Sequence, residues 1–515
     1  MSVVFGTLWK RLDKTRAHCY RAKMRAPNAL RDLPWALAGS AAALVPCAFM
    51  WGFTVDDALI SVRYARHLAA GLGYRFNAAG PVTDGVTPLP WALLLAPLAH
   101  APALDVLLRA KYMGLVAWAA AAAALGVAVG RVSRRDGISK RGRPWLEGGA
   151  LGAVALSLPV AAHAVSGMET GLAIACATAA ALFAGHRPRA CAMAAGIAAA
   201  FRPEMAPWAA VLALGVAWAR VPWRALGHAG LALAPFLLCT LARLAIFGRP
   251  APLAVLAKPS DLSHGAVYAL AALIVAATPV LVLAPRALAR GPRAARAIVG
   301  AGIVHVVSVI AVGGDWMPYA RLIAPIVPSL AWAGVLVLPH AHRAMASART
   351  VLALAVGALF FVRAGPAGRG VGEDRRALIA SAQPYLASAK VVVALDIGWV
   401  SAATDGTIVD LAGVTDPVIA ALPGGHTSKR VDAALVLSRE PDVVLFYVTG
   451  GIDARSLPVW RDARYAYAVE SRLARADLIA AHFEPCAFLP LGARGAGYVL
   501  LMRTSRYRNG GCGPF

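Results

Sequence analysis

Four short segments hold most of the charge that could do chemistry in an otherwise apolar chain. The first is Thr54-Val55-Asp56-Asp57-Ala58-Leu59-Ile60-Ser61-Val62-Arg63-Tyr64-Ala65-Arg66-His67. Thr54 and Asp57 stand three apart, the spacing of a capping box, which predicts a helix starting here. That helix is expected to stop near Gly71 or Gly73. Asp56, Ile60, Arg63 and His67 then share one face. Capping explains Asp57. It leaves Asp56 as a carboxylate at an apolar boundary, which needs a partner or a water-filled cavity, and a carboxylate beside a cavity can take a proton from an alcohol. Asp56 is therefore the expected general base. The other segments are Ser166-Gly167-Met168-Glu169-Thr170, Arg202-Pro203-Glu204 and Gly313-Gly314-Asp315-Trp316-Met317-Pro318-Tyr319-Ala320-Arg321. Each also has a plainer reading: Glu169 near a helix N-terminus, an ion pair at a helix break, an interfacial tryptophan. Arg249 and Lys258, in a Pro-rich loop, join Arg321 as cations expected on the outer side. Holding a phosphate is one reason for cations there, and snorkelling to headgroups is the other.

Composition says what must position these groups. Of 515 residues, 59% are hydrophobic and 15% charged, and the mean hydropathy is +0.63. A soluble globular chain is nearer half apolar and a quarter charged. Disordered and ordinary soluble classes are thus excluded, and a polytopic helical membrane protein is expected. Apolar runs at about 34–54, 112–131, 147–166, 169–185, 189–201, 205–220, 226–247, 265–286, 297–313, 320–340 and 348–364 predict about 11 transmembrane helices. The run 89–101 is expected to be interfacial or re-entrant. A crossing there would turn the basic loop of Arg131, Arg134, Arg135, Lys140, Arg141 and Arg143 outward, against the positive-inside rule.

The net charge is +25. Its cations lie in the tail 1–33 and in loops holding Arg187 and Arg189, Arg220 and Arg224, Arg286 to Arg296, and Arg343 and Arg349. This pattern reads as an orientation signal and contact with anionic membrane lipid rather than nucleic-acid binding. The expected organisation is a basic cytoplasmic tail 1–33, a transmembrane domain 34–364 with a large first outer loop 55–111, and an extracytoplasmic α/β domain 365–515. The segment Ala364–Gly370 reads as a flexible linker between the last two. In the last domain β-rich runs lie at 391–395, 408–411, 443–448 and 498–502, with helices at 375–388 and 431–439. Seven cysteines are too few for a disulfide scaffold, and none has zinc-site spacing. Cys486 and Cys512 alone fall in the outer, oxidising domain and are expected to pair. No P-loop, GxSxG or HExxH occurs, and no internal repeat. No motif calls for a cofactor, and a divalent metal is left open.

Residues 56–66, with Gly71-Leu72-Gly73-Tyr74-Arg75-Phe76-Asn77 and Asp84-Gly85-Val86-Thr87-Pro88-Leu89-Pro90-Trp91, resemble the first outer loop of the GT-C superfamily of membrane glycosyltransferases. Within it the chain is most similar to proteins like the terminal arabinofuranosyltransferases of mycobacterial cell walls. The segments around Glu169, Arg202, Asp315 and Ile408-Val409-Asp410-Leu411-Ala412-Gly413-Val414-Thr415-Asp416-Pro417 follow in the family's order. Leu59 and Val86 stand where the family usually has aromatics. The resemblance implies a GT-C-like fold in the cytoplasmic membrane. It implies inverting transfer of a sugar, arabinofuranose among the candidates, from a polyprenyl-phosphate donor to a hydroxyl of a cell-envelope glycan outside. The family's first-loop acid maps onto Asp56, with Asp57 beside it. Substrate and donor-phosphate binding then fall to Arg63, Glu169, Arg202, Glu204, Arg249, Lys258, Asp315 and Arg321. Two rival classes are a secondary transporter, which wants carboxylates at mid-membrane and repeat symmetry, and a non-catalytic assembly protein of envelope glycan synthesis.

Overall fold

A computed structural model describes residues 29–134, 143–218, 222–276, 283–450, 452, 457–492, 495–508 and 512. Residues 1–28 of the basic tail, residues 135–142 of the first basic loop, Arg220, and residues 277–282 of the expected 265–286 span lie outside them. Five helices are long and apolar enough to cross a bilayer: Ala29–Phe49, Ala103–Ser133, Trp223–Phe247, Arg293–Ala311 and Arg343–Leu386. At 1.5 Å per residue even the 19-residue member reaches about 28 Å, close to the hydrocarbon thickness. Their outward sides are leucine-rich. Leu237, Leu238, Leu241 and Leu244 are all exposed on one of them, a surface that water would not tolerate.

The expectation of about 11 full spans is not matched by helix length. Thr170–Phe183, Pro188–Phe201, Pro203–Ala217, Leu262–Val275 and Ala324–His340 are apolar but have no more than 17 residues each. They reach roughly 21–26 Å. Prolines mark the first turns of Pro188–Phe201, Pro203–Ala217 and Ala324–His340, and the break at Arg202 separates the first two of these. Leu89–Leu98 is shorter still, about 15 Å, and the next helix begins just after Pro102.

Ala29–Phe49 and Ala103–Ser133 pack antiparallel. A Cβ on Gly39 would lie 2.2 Å from the Ala122 carbonyl oxygen, and one on Gly126 would lie 2.2 Å from that of Trp35. Only glycine permits this approach, as at small-residue helix interfaces in lipid. At one end of the pair Arg131 and Arg134 both bond the Asp32 carboxylate, each at 2.6 Å. At the other, the Lys111 ammonium donates to the carbonyls of Trp51 and Phe53, in the turn just beyond the first helix.

The expected linker Ala364–Gly370 is not a linker. It lies inside the 44-residue helix Arg343–Leu386. Its glycines serve close packing instead. A Cβ on Gly365 would lie 2.8 Å from the Phe49 ring, and one on Gly368 would lie 2.5 Å from the Tyr319 hydroxyl. That hydroxyl donates to Ala364 O at 2.8 Å, and Gly372 N donates to Gly52 O at 2.8 Å. The long helix therefore carries the chain rigidly into the C-terminal domain.

That domain is a five-stranded sheet in the order β2-β1-β3-β5-β4, with β1 Val391–Ala394, β2 Thr407–Asp410, β3 Val443–Val448, β4 Phe483–Pro490 and β5 Gly497–Arg503. β1 pairs parallel with β2 and β3, and β5 pairs antiparallel with β3 and β4. Val392, Ala394, Ile408, Leu445 and Leu500 on one face share a core with the helical bundle. Val393, Val444, Phe446, Val499 and Leu501 on the other build a second core with Val436, Val469, Leu473 and Ile479. β4 has no counterpart in the sequence reading. It is an edge strand that begins Phe483-Glu484-Pro485 and ends at Pro490, with an irregularity between Pro485 and Ala487, and prolines belong on such edges. Cys486 on this strand is joined to Cys512 with Cα atoms 5.7 Å apart, tying down the chain end.

The Gly39 contact generates a test. Gly39→Ala must push two backbones apart and should destabilise the protein by about 1–3 kcal/mol. Gly300→Ala, in a helix with nothing within 4 Å of the added methyl, should be neutral or slightly stabilising. Thermal unfolding of the two variants in the same detergent reads the difference.

Candidate active site

The Asp56–Ala69 helix starts and stops close to where the sequence places it, but no capping box forms. Val55 is its N-cap and no side chain caps it. Thr54 instead donates its hydroxyl to Ser166 O at 3.1 Å, pinning the helix start to another expected segment. The capping expected of Asp57 is therefore not seen, and it is Asp56 that accepts from a helix start. Asp56 faces the C-terminal domain, where its carboxylate accepts from Gly398 N at 2.7 Å and Trp399 N at 2.8 Å. It thereby caps the Ile397–Ala403 helix from outside the domain. A Cβ on Gly398 would lie 2.1 Å from Asp56 O, so that position admits only glycine. Arg375 stands 3.8 Å away.

Arg63 is likewise a docking residue. It donates to Phe76 O at 2.7 Å, Thr404 O at 2.8 Å and Gly406 O at 2.6 Å. Asn77 exchanges two 2.9 Å bonds with the backbone of Ile408 on the sheet edge. The C-terminal domain thus engages the polar atoms of Asp56 and Arg63, and neither residue lines the cavity described next. Asp56 lies near Asp396, which accepts from the Tyr498 hydroxyl at 2.6 Å. Burial first raises both carboxyls above the usual range, helped by the charge of Asp57 at Asp56 and by that of Asp56 at Asp396, which is raised to about 7. Two backbone donors and Arg375 keep the charge on Asp56, so the proton sits on Asp396.

Asp57, one residue on, points the other way. It lines a cavity of about 620 Å³ together with Glu169, Arg202, Glu204, Lys258, Asp315 and Arg321, seven of the ten residues expected to act or bind. Arg249 is exposed and is not in its wall. The rest of the wall mixes hydroxyl groups of Ser61, Thr87, Thr240 and Ser260 with apolar residues that include Phe236, Val255, Ala311 and Val312. The cavity therefore offers both charged groups and apolar surface to a ligand.

The charges are ordered in pairs. Arg202 bonds Glu169 at 2.8 Å and Glu204 at 2.6 Å, all three side chains at most 8% exposed. Glu169 Oε2 is buried without a hydrogen-bond partner among the described residues. Arg321 bonds Asp315 at 2.6 Å. Burial raises the Asp315 carboxyl, but Arg321, Lys258 and Arg202 outweigh it and hold it below its usual value. Gly313 and Gly314 turn this loop with φ of 87° and 74°, and Tyr319 and Ala320 also take positive φ, 60° and 50°. Such left-handed backbone in non-glycine residues costs roughly 1–2 kcal/mol each. Buried side chains hold it: His163 Nε2 on Pro318 O, His305 Nε2 on Leu322 O, and the Tyr268 hydroxyl receiving Leu322 N.

One functional residue was missed from the sequence. Arg243 lines the cavity at 2% exposure, bonds the Asp84 carboxylate at 2.5 Å and donates to Thr87 O. A lone arginine within an apolar run was the available signal. Asp57 and Lys258 complete the ring, and no ion pair or side-chain hydrogen bond engages either among the described residues. Val414, from the loop after β2, closes the wall. Asp410 shapes that loop by accepting from Ala412 N, Gly413 N and Thr415 N. Among the described residues no group of three or more His, Cys, Asp or Glu side chains is arranged to hold a metal ion.

Two tests follow. Asp56→Ala should cost about 1–3 kcal/mol by stranding two backbone donors, and hydrogen exchange at the Gly398 and Trp399 amides should rise at least tenfold. Asp396 binds its proton more tightly folded than unfolded, so its contribution to stability is present near pH 4 and lost as pH rises towards 8. Wild type should lose stability relative to Asp396→Asn over that range, and parallel melting curves across it would show the proton lies elsewhere.

A family model described as a domain of unknown function, DUF8728, matches residues 373–500. That stretch holds the docking partners of Asp56 and Arg63 but contributes only Val414 to the cavity wall. No curated protein and no solved structure matches the chain.

Proposed function

We propose that the protein is a GT-C-type glycosyltransferase that moves a sugar from a polyprenyl-phosphate donor to a hydroxyl of an envelope glycan. The observation that carries this reading is the convergence of Asp57, Glu169, Arg202, Glu204, Lys258, Asp315 and Arg321, from distant parts of the sequence, on one cavity that also has apolar lining. The polyprenyl chain lies along Phe236, Val255 and Val312, and the phosphate is held by Lys258 and Arg321, with Arg243 behind. In this reading the cavity opens to the outer face of the cytoplasmic membrane and the C-terminal domain sits outside. The shorter apolar helices complete about 11 passages through a locally thinned or tilted arrangement.

The chemistry is a single displacement. The acceptor hydroxyl gives its proton to Asp57, and its oxygen bonds to the anomeric carbon from the face opposite the leaving group. The bond from that carbon to the phosphate oxygen breaks, its electron pair stays on the lipid phosphate, and configuration inverts. Charge growing on the phosphate meets fixed cations in a site of low polarity, where such stabilisation is strongest. Lys258, unlike the arginines, has no carboxylate bonded to it among the described residues, and in this reading it follows that charge. Glu169 and Glu204 neutralise Arg202, and the unpartnered Glu169 Oε2 is placed to accept from a sugar hydroxyl.

The test is transfer of labelled pentose from a polyprenyl phosphate to a glycan acceptor in membranes. Asp57→Asn should lower turnover by about 10²–10⁴-fold with folding intact. Asp56→Asn should keep much of the turnover and lose stability. The reverse pattern would return the base to Asp56, and activity in both would remove the first loop from the chemistry.

A further inference from the structure

A second cavity lies at the far end of the helices that build the first. It has a volume of about 460 Å³ and is lined by Arg187, Pro188, Arg189, Ala190, Ala217, Arg224 and His228. Arg224 and His228 are near the start of the Pro222–Phe247 helix, and Arg243 of the first cavity is near its end. Nineteen residues separate Arg224 from Arg243, about 28 Å along the axis, so the two cavities are one hydrocarbon thickness apart. Arg187 and Arg202 bracket the Pro188–Phe201 helix in the same sense. The two cavities thus stand at opposite ends of these helices.

The two differ in how charge is balanced. In the first, Arg202, Arg243 and Arg321 each have a carboxylate. In the second, no acidic residue lines the wall, and none pairs with Arg187, Arg189 or Arg224 among the described residues. Arg187, Arg189 and Arg224 are all exposed around this hollow; an anion placed between them would be attracted by all three, and guanidinium geometry suits a phosphate. The surroundings favour an anion that carries acyl chains. Arg224 lies over the exposed Trp223 ring at 5.2 Å, an aromatic of the type that marks the headgroup level. Leu226, one turn further into the bilayer, is 65% exposed towards lipid.

We infer that this cavity binds a phosphate group, presented by an anionic phospholipid of the adjacent leaflet. The inference is independent of the glycosyl-transfer reading.

The test uses the full chain in a neutral detergent, with dioleoylphosphatidylglycerol, dioleoylphosphatidylcholine and inorganic phosphate as probes. Retained lipid is read by native mass spectrometry. Wild type should retain phosphatidylglycerol over phosphatidylcholine, more weakly as salt rises, and millimolar inorganic phosphate should not displace it. The triple variant Arg187→Gln, Arg189→Gln, Arg224→Gln should bind about 10²-fold more weakly. The charge-matched control Arg286→Gln, Arg290→Gln, Arg343→Gln should bind as wild type. Both must melt near the wild-type temperature. Equal retention by the first triple variant, or equal loss in the control, overturns the site. Displacement by inorganic phosphate without preference between the lipids overturns the lipid and leaves a soluble anion as the occupant.

Discussion

Arg202 held between Glu169 and Glu204, away from solvent, is the constraint on which the functional half of the molecule depends. A charge in an apolar bundle is tolerated only when it is paired or faces water. Three short helices end so that these side chains can meet, and the Arg202-Pro203-Glu204 break is the geometry that allows it. The same requirement brings Arg243 to Asp84 and Arg321 to Asp315. The cavity is what remains where these pairs, each satisfied on one side, cannot also be covered by hydrocarbon. Within it Asp57 and Lys258 have no ion-pair partner among the described residues, and the proposed reaction gives each of them a use.

The C-terminal domain supports this site without supplying its charged groups. The 44-residue helix enters it without a break, and Asp56, Arg63 and Asn77 fasten it through backbone groups at Gly398, Trp399, Thr404, Gly406 and Ile408. Fixing one face of the Asp56–Ala69 helix in this way fixes the direction of Asp57 on the other. Adjacent carboxylates therefore have opposite jobs, one holding a domain and one facing a cavity. Truncation of the domain would release the helix that aims Asp57, although no acid or base of the site would be lost.

Much of this was legible in the sequence, because acidic residues in an apolar chain are few and each needs a reason. Glu169, Arg202, Glu204, Asp315, Arg321 and Lys258 stood out on that ground, as did the bounds of the first-loop helix. The distinction between Asp56 and Asp57 did not. A capping box is a local template, and here a contact over 112 residues, Thr54 to Ser166, took the capping hydroxyl away. Of the face read as Asp56, Ile60, Arg63 and His67, Asp56 and Arg63 meet a domain more than 300 residues later, while Ile60 lines the cavity with Asp57. Glycine and proline around 364–370 read as flexibility because composition cannot show that Phe49, Met50 and Tyr319 press against those positions. β4 was hidden by its prolines, and Arg243 by the apolar run around it.

The central claim is that a lipid-linked phosphate occupies the cavity with its sugar turned to Asp57. It is tested most directly by an experimental structure of the full chain with a polyprenyl-phosphate pentose bound. The account predicts the phosphate within hydrogen-bond reach of Lys258 and Arg321, the prenyl chain along Phe236 and Val255, and the anomeric carbon open towards the Asp57 carboxylate. A donor bound elsewhere, or one whose sugar faces away from Asp57 with Asp56 released from Gly398 and Trp399 to meet it, would contradict it.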